Sequence, residues 1–240
     1  MIVARDPIQR PPDARLLAID ARGVIVHWPR RDLAALLRRG DLVVANDAAT
    51  LPASLAGVHV ESGKPIEVRL AQRASLEPDD VHDFSAVVFG EGDYRTPTEL
   101  RPSPPTLAIG DSLQLGPLRA TVRGVLGHPR FIAMRFEGSA HAIWRGIAQH
   151  GRPIQYAHIH PALALWDVWT PIAGAPVAFE PPSAGFALDW HLLTDLRRRG
   201  VAFATITHAA GISSTGDPAL DARLPLDEPY VIPRITADAI

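Results

Sequence analysis

Short apolar runs separated by tight polar breaks open the patterned part of the chain. "RLLAID" and "VIVHW" flank the connection "ARG", which predicts two strands joined by a glycine turn. The period then changes in "RDLAALLRRG". Leu33, Leu36 and Leu37 fall on one face of a predicted helix, with Asp32 near its positive end and Gly40 as its stop. "DLVVAND" follows as a buried strand that empties into polar residues at Asn46 and Asp47.

From about Val58 to Phe136 the runs "IEVRL", "FSAVVF", "LRATVRGVL" and "FIAMRF" are strand-like, and glycine, proline and acidic turns separate them with no helical stretch between. Helical periodicity returns at Ser139. "SAHAIWRGIAQHG" reads as a capped helix, and "ALDWHLLTDLRRRG" as another that carries Leu188, Leu192, Leu193 and Leu196. The predicted fold is a mixed α/β domain, residues 1–57 and 138–240, interrupted by an inserted all-β, barrel-like domain at 58–137. The linkers are expected near Gly57 and Gly138.

Composition narrows the class. A chain of 240 residues with 47% hydrophobic and 21% charged positions has the material for a packed core. Its 24 basic residues against 26 acidic ones force no nucleic-acid reading. The run Arg197, Arg198 and Arg199 is explained by the negative end of a helix dipole ahead of Gly200. The absence of cysteine removes disulfides, thiolate nucleophiles and cysteine metal sites, and fits a reducing compartment. "MIVARDPIQRPPD" is too polar for a signal peptide and no apolar run is long enough to span a bilayer, so a cytoplasmic location without membrane contact is expected.

Chemistry is expected where strands of an α/β sheet end. Three places qualify: Asn46 and Asp47 after "LVVA", the turn "EPPSAGF" after "PVAF", and His208 after "VAFATIT". In the turn, Pro181 and Pro182 restrict the backbone, while Ala184 and Gly185 leave room for a ligand to approach main-chain N–H groups at a helix start. Ala209, Ala210 and Gly211 keep the wall beside His208 small, which suits a planar base. Two hydrolase readings compete. His158 and His160 could share a metal if the segment were extended, and Ser183 with His208 and an aspartate would supply a triad, although "EPPSAGF" lacks the first glycine of a nucleophile elbow.

Taken in order, "NDAATLPASLAG", the all-β insertion, "PVAFEPPSAGF" with its following helix, and "THAAGISSTGD" resemble successive landmarks of the S-adenosylmethionine:tRNA ribosyltransferase-isomerase family of queuosine biosynthesis. The resemblance runs over nearly the whole chain. It implies an enzyme that consumes S-adenosylmethionine as a ribosyl donor, needs no metal, and attaches the isomerised ribose to a 7-aminomethyl-7-deazaguanine base in tRNA. Within that resemblance His208 and Asp47 would be catalytic, and Asn46, Pro182, Ser183, Ala184, Gly185 and Gly211 would hold the cofactor. The sequence also departs from the family pattern. Arginines are implied where the chain has Ala49 and Ser54, a histidine at Ala187, and glutamine and tyrosine at Trp169 and Ile172. Alanine and serine cannot make the bidentate charged pairs of arginine, so an inactive or repurposed adenosine-binding paralogue is the alternative. "ITADAI" reaches Ile240 without a helix stop, which predicts a further segment or a partner subunit.

Overall fold

A computed structural model describes residues 14–240; the polar N-terminal segment considered above lies outside them. First among the described residues is an antiparallel hairpin, β1 (Arg15–Ile19) against β2 (Ile25–Pro29). Its turn is closed by Asp20, whose Oδ1 accepts from the N–H groups of Arg22 and Val24 at 2.8 and 2.9 Å. The helix expected next is a 3-10 helix, Arg30–Leu36. At three residues per turn the inward position moves. Ala34 is buried and Leu33 and Leu37 pack beneath it, whereas Leu36, expected inward, is exposed.

β3 (Leu42–Asn46) leads to a two-residue strand, β4 (Ala49–Thr50). Then comes the barrel: β5 (Ser54–His59), β6 (Lys64–Gln72), β7 (Asp83–Phe89), β8 (Ser112–Leu115), β9 (Leu118–His128) and β10 (Phe131–Phe136). Neighbours in the closed circuit run β10-β7-β6-β5-β8-β9, all antiparallel. Leu55 lies opposite Val68, Val68 opposite Val88, and Ile132 opposite Ala86. Cross-strand partners share a face, so these residues fill the barrel. Gly57, expected at a linker, lies inside β5 opposite Ile66. It must be glycine there, since an added Cβ would come within 2.2 Å of the Gln114 carbonyl. Gly138 does lie between β10 and the helix that follows.

That helix is α1 (Ala140–His150), capped by Ser139, whose hydroxyl accepts from the N–H of Ala142 at 3.3 Å. Its Ile143 and Ile147 join the barrel's apolar cluster, as do Phe179, Ile212 and Leu220. After the short α2 (Leu165–Val168), β11 (Pro176–Ala178) pairs in parallel with β4. α3 (Trp190–Arg199) is capped at one end by Asp189, which accepts from Leu192 N–H at 2.8 Å, and closed at the other by Gly200 at φ 71°. Arg197, Arg198 and Arg199 occupy its last turn, where the dipole favours them. β12 (Ala202–His208) runs parallel to β3 and antiparallel to β13 (Tyr230–Val231). Between them is α4 (Pro218–Asp221), and α5 (Arg234–Ala237) follows, tied to β12 by a 2.7 Å bond from Thr236 Oγ1 to the Thr205 carbonyl. The fold is mixed α/β with a closed six-stranded antiparallel barrel set into it. Among the described residues no helix is long and apolar enough to cross a membrane.

Candidate functional site

The parallel pair β3 and β12 ends in a polar knot. Asn46 donates from Nδ2 to the His208 carbonyl at 2.9 Å, and its Oδ1 accepts from the N–H of His208 at 2.9 Å and of Ala48 at 3.0 Å. One side-chain amide therefore continues the ladder beyond its last backbone rung. Asp47 donates its N–H to Ile206 O at 2.9 Å, while its Oδ1 accepts from Thr207 Oγ1 at 2.7 Å. Strand pairing thus brings Asn46, Asp47 and His208 together, as expected for residues at the carboxyl ends of adjacent parallel strands.

His208 is not sealed in the core. Its side chain is 37% exposed, and Nε2 lies 2.8 Å from Glu228 Oε2. The other oxygen of Glu228 accepts from the N–H of Gly211 at 2.7 Å, so the loop after His208 holds the carboxylate in place. With Nε2 engaged, Nδ1 is the nitrogen left for a ligand. Neither Glu228 nor Thr207 was singled out by sequence reasoning. Glu228 stands in the polar run "LDEPY", which carries no spacing signal that would join it to a histidine on an earlier strand.

The "EPPSAGF" turn approaches from the other side of the loop, with Phe179 N–H donating to Ala210 O at 2.8 Å. It does not open α3. Ser183–Ala187 form a separate 3-10 turn, because Asp189 supplies the better N-cap further on. Pro182 accepts from the N–H of Gly185 at 2.8 Å, and Gly185 packs so closely on Thr170 that an added Cβ would meet its Cγ2 at 2.9 Å. Ser183 and Ala184 are exposed. No hydrogen bond among the described residues joins Ser183 to His208. Glu180, just before the turn, accepts from Tyr156 Oη at 2.5 Å, and that hydroxyl also reaches Ser214 O at 3.1 Å. Burial, reinforced by the Glu180 charge, pushes the Tyr156 hydroxyl well above its usual range, so it stays a donor.

The positions that depart from the family pattern have work of their own. Ser54 donates to Glu67 Oε1 at 2.8 Å, and Trp169 donates from Nε1 to Thr50 O at 2.9 Å. Ala49 is buried in β4, and Ile172 packs with Leu188 and Leu192. His158 and His160 are not on a strand; His158 lies in a turn, stacked on Tyr156 at 6.1 Å. The His, Glu and Asp side chains that do converge among the described residues are His59, Glu61 and Asp111, with His59 Nε2 at 3.2 Å from Glu61 and 2.9 Å from Asp111. An imidazole shared between two carboxylates accounts for them.

A closed barrel set into an α/β unit, with an imidazole–carboxylate pair and an aspartate where parallel strands end, defines a protein of the mixed α/β class. The chain belongs to the queuosine biosynthesis protein family, whose sequence model matches residues 1–240. It is 29% identical over 221 residues to the S-adenosylmethionine:tRNA ribosyltransferase-isomerase of Synechococcus elongatus, covering 88% of this chain and 56% of that protein. It is 30% identical over 261 residues to the protein of the same name from Sorangium cellulosum, covering 100% of this chain and 67% of that one. The chain therefore spans between about half and two thirds of these relatives. A solved S-adenosylmethionine tRNA ribosyltransferase structure from Thermotoga maritima aligns over 99% of this chain and 60% of its own, at 19% identity and a TM-score of 0.36, too distant to bear on the site.

Proposed function

We propose that the chain handles S-adenosylmethionine in tRNA ribosyltransferase-isomerase chemistry in the cytoplasm, with His208 and Asp47 as its catalytic residues. The observation that carries this reading is the His208–Glu228 pair beside Asp47 at the ends of β3 and β12. When bound, S-adenosylmethionine supplies a sulfonium that acidifies the neighbouring C5′ position. His208 takes a proton through Nδ1, since Glu228 occupies Nε2 and steadies the positive charge the ring acquires. Asp47 has one oxygen committed to Thr207 and the other free to orient a ribose hydroxyl. Asn46 holds His208 through its backbone, and Gly211 and the Pro182–Gly185 turn line the adenosine side. The acceptor is the aminomethyl-deazaguanine base of tRNA.

The second reading, a repurposed adenosine-binding protein, is favoured by one observation: Ser54 and Trp169 spend their polar groups inside the protein. Losing one positioned charged contact costs on the order of 2–4 kcal/mol in a transition state. The chain by itself is accordingly expected to bind S-adenosylmethionine weakly without completing ribosyl transfer. Equilibrium dialysis with S-adenosylmethionine tests the binding, which Asp47→Ala should weaken. Incubation with S-adenosylmethionine and tRNA carrying the aminomethyl base, followed by assay of adenine and methionine, tests the chemistry. Absence of any saturable binding sinks both readings, and turnover at an ordinary enzymatic rate rules out the second.

A further inference from the structure

A different set of residues encloses a cavity of about 400 Å³ on the outer wall of the barrel, with Ser54, Glu67, Tyr94, Arg95 and Arg152 among its lining. Strand register places Glu67 opposite Phe89 and Arg69 opposite Val87, on the face turned away from the barrel interior. Covering loops nevertheless bury Glu67 and Arg69 to 5% and 2% exposure. Two guanidiniums meet the one carboxylate: Arg69 Nε at 2.7 Å from Glu67 Oε1, and Arg101 Nη1 on Oε2.

The two arginines differ in what remains free. Arg101 also donates to the carbonyls of Gly90 at 3.0 Å, Gly92 at 2.9 Å and Asp93 at 3.2 Å, so it staples the loop that forms one cavity wall. Arg69 spends only Nε. Its Nη1 is buried with no hydrogen-bond partner among the described residues, and the guanidinium lies over the rings of Phe89 at 4.8 Å and Tyr156 at 5.8 Å. At the rim, Asp93 is paired with Arg95, and no carboxylate among the described residues lies within 4.0 Å of the Arg152 guanidinium. The lining itself sets Arg95 and Arg152 against Glu67 and Asp93, and Arg69 and Arg101 stand behind Glu67, so among the described residues four guanidiniums gather around two carboxylates. An uncompensated buried charge costs several kcal/mol, and the surplus here is positive. The far wall is preformed, because the Gln155 amide bonds to Ile159 O and Pro161 O, both at 2.7 Å, and to Leu163 N–H at 2.9 Å.

We infer that this cavity is an oxyanion site: it takes a phosphate- or carboxylate-bearing small molecule, met by Arg152 at the rim and by the surplus charge of Arg69 behind Glu67. The volume suits a ligand of mononucleotide or amino-acid size. The test is calorimetric titration of the purified chain, in low-salt buffer, with inorganic phosphate, adenosine 5′-monophosphate and L-methionine in separate arms. Arg152 is exposed and its side chain bonds to none of the described residues, so Arg152→Glu should keep the fold, with Arg152→Gln as the milder replacement, both checked by circular dichroism. Saturable binding in at least one arm is expected, weakened at least ~10-fold by Arg152→Glu, the loss of about one charged contact. It should persist in His208→Ala, which separates it from the adenosine site. Phosphate or nucleotide binding identifies a phosphate ligand, and methionine binding a carboxylate. No binding in any arm up to ~20 mM, a weak-affinity ceiling for a one-charge contact, would overturn the inference, as would an affinity that the Arg152 variants leave unchanged or that His208→Ala removes.

Discussion

Replacing Glu67 with glutamine isolates the charge at the centre of the buried arginine pair. Glutamine has nearly the same volume and keeps a carbonyl acceptor for Ser54 or Arg69, so no cavity opens and the change is electrostatic. What is lost is the only carboxylate among the described residues that is ion-paired with Arg69 or Arg101, at a residue 5% exposed. Removing one partner of a buried ion pair costs about 3–5 kcal/mol, because the other charge is left uncompensated. At about 2–4 °C per kcal/mol for a chain of this size, melting should fall by roughly 6–20 °C. Burial, the largest single influence, pushes the Glu67 carboxyl up, but the charges and hydrogen bonds of Arg69 and Arg101 together outweigh it and hold it below its usual 4.5. A depressed folded-state value means that ionised Glu67 stabilises the protein fully above the unfolded-state value, and that this is lost as pH falls through the folded one. The gap between wild type and Glu67→Gln should therefore be full at neutral pH and shrink below about pH 4.5, where unfolded glutamate takes up its proton. Urea titrations at several pH values measure it. A gap under about 1 kcal/mol at neutral pH, the size of a surface pair, would refute the reasoning, and so would one that is unchanged in acid.

Asn46→Ala removes three hydrogen bonds at the end of β3, two of them to His208 of β12 and one to Ala48, and should cost about 2–3 kcal/mol in urea unfolding at roughly 1 kcal/mol each; a cost near zero would show that the strands hold without it. Gly57→Ala should destabilise by about 1–3 kcal/mol through overpacking, since its Cβ would meet the Gln114 carbonyl at 2.2 Å and Leu115 Cδ2 at 2.7 Å. Gly124→Ala, with nothing within 4 Å of the new Cβ, is the control in the same melting experiment. Limited proteolysis should release a stable middle fragment that keeps the whole barrel, β5 to β10, residues 54–136, and a fragment that always retains α1 would show that Ile143 and Ile147 fold with the barrel.

Much of the architecture can be read from local pattern. In "IEVRL" the alternation separates Ile66, Val68 and Leu70 from Glu67 and Arg69, because successive side chains of a strand point to opposite faces, and barrel register keeps that division. Ser139 and Asp189 cap the helices that their positions announce, and the apolar stripe of α3 faces the cluster around Ala34. The same logic places His208, Asn46 and Asp47 at strand ends, since an apolar run that turns polar is a chain leaving the core. Local pattern misleads at "RDLAALLRRG", where a 3-10 winding exchanges Leu36 for Ala34 as the inward residue.

Which charges meet was decided only by the tertiary structure. Glu228 reaches His208 because β13 returns antiparallel alongside β12 and delivers the residues just ahead of it to the end of that strand. Glu67 and Arg69 sit on the face that alternation marks as outward, and a lone strand would leave them in water. They are buried because the loops from Gly90 to Arg101 and from Arg152 to Leu163 close over the barrel wall. Alternation and capping are steric and hydrogen-bonding properties of a few neighbouring residues, so sequence suffices for them. The desolvation and pairing of a charge depend on every group within several ångströms in space, and closure of the barrel and its loops determines which groups those are.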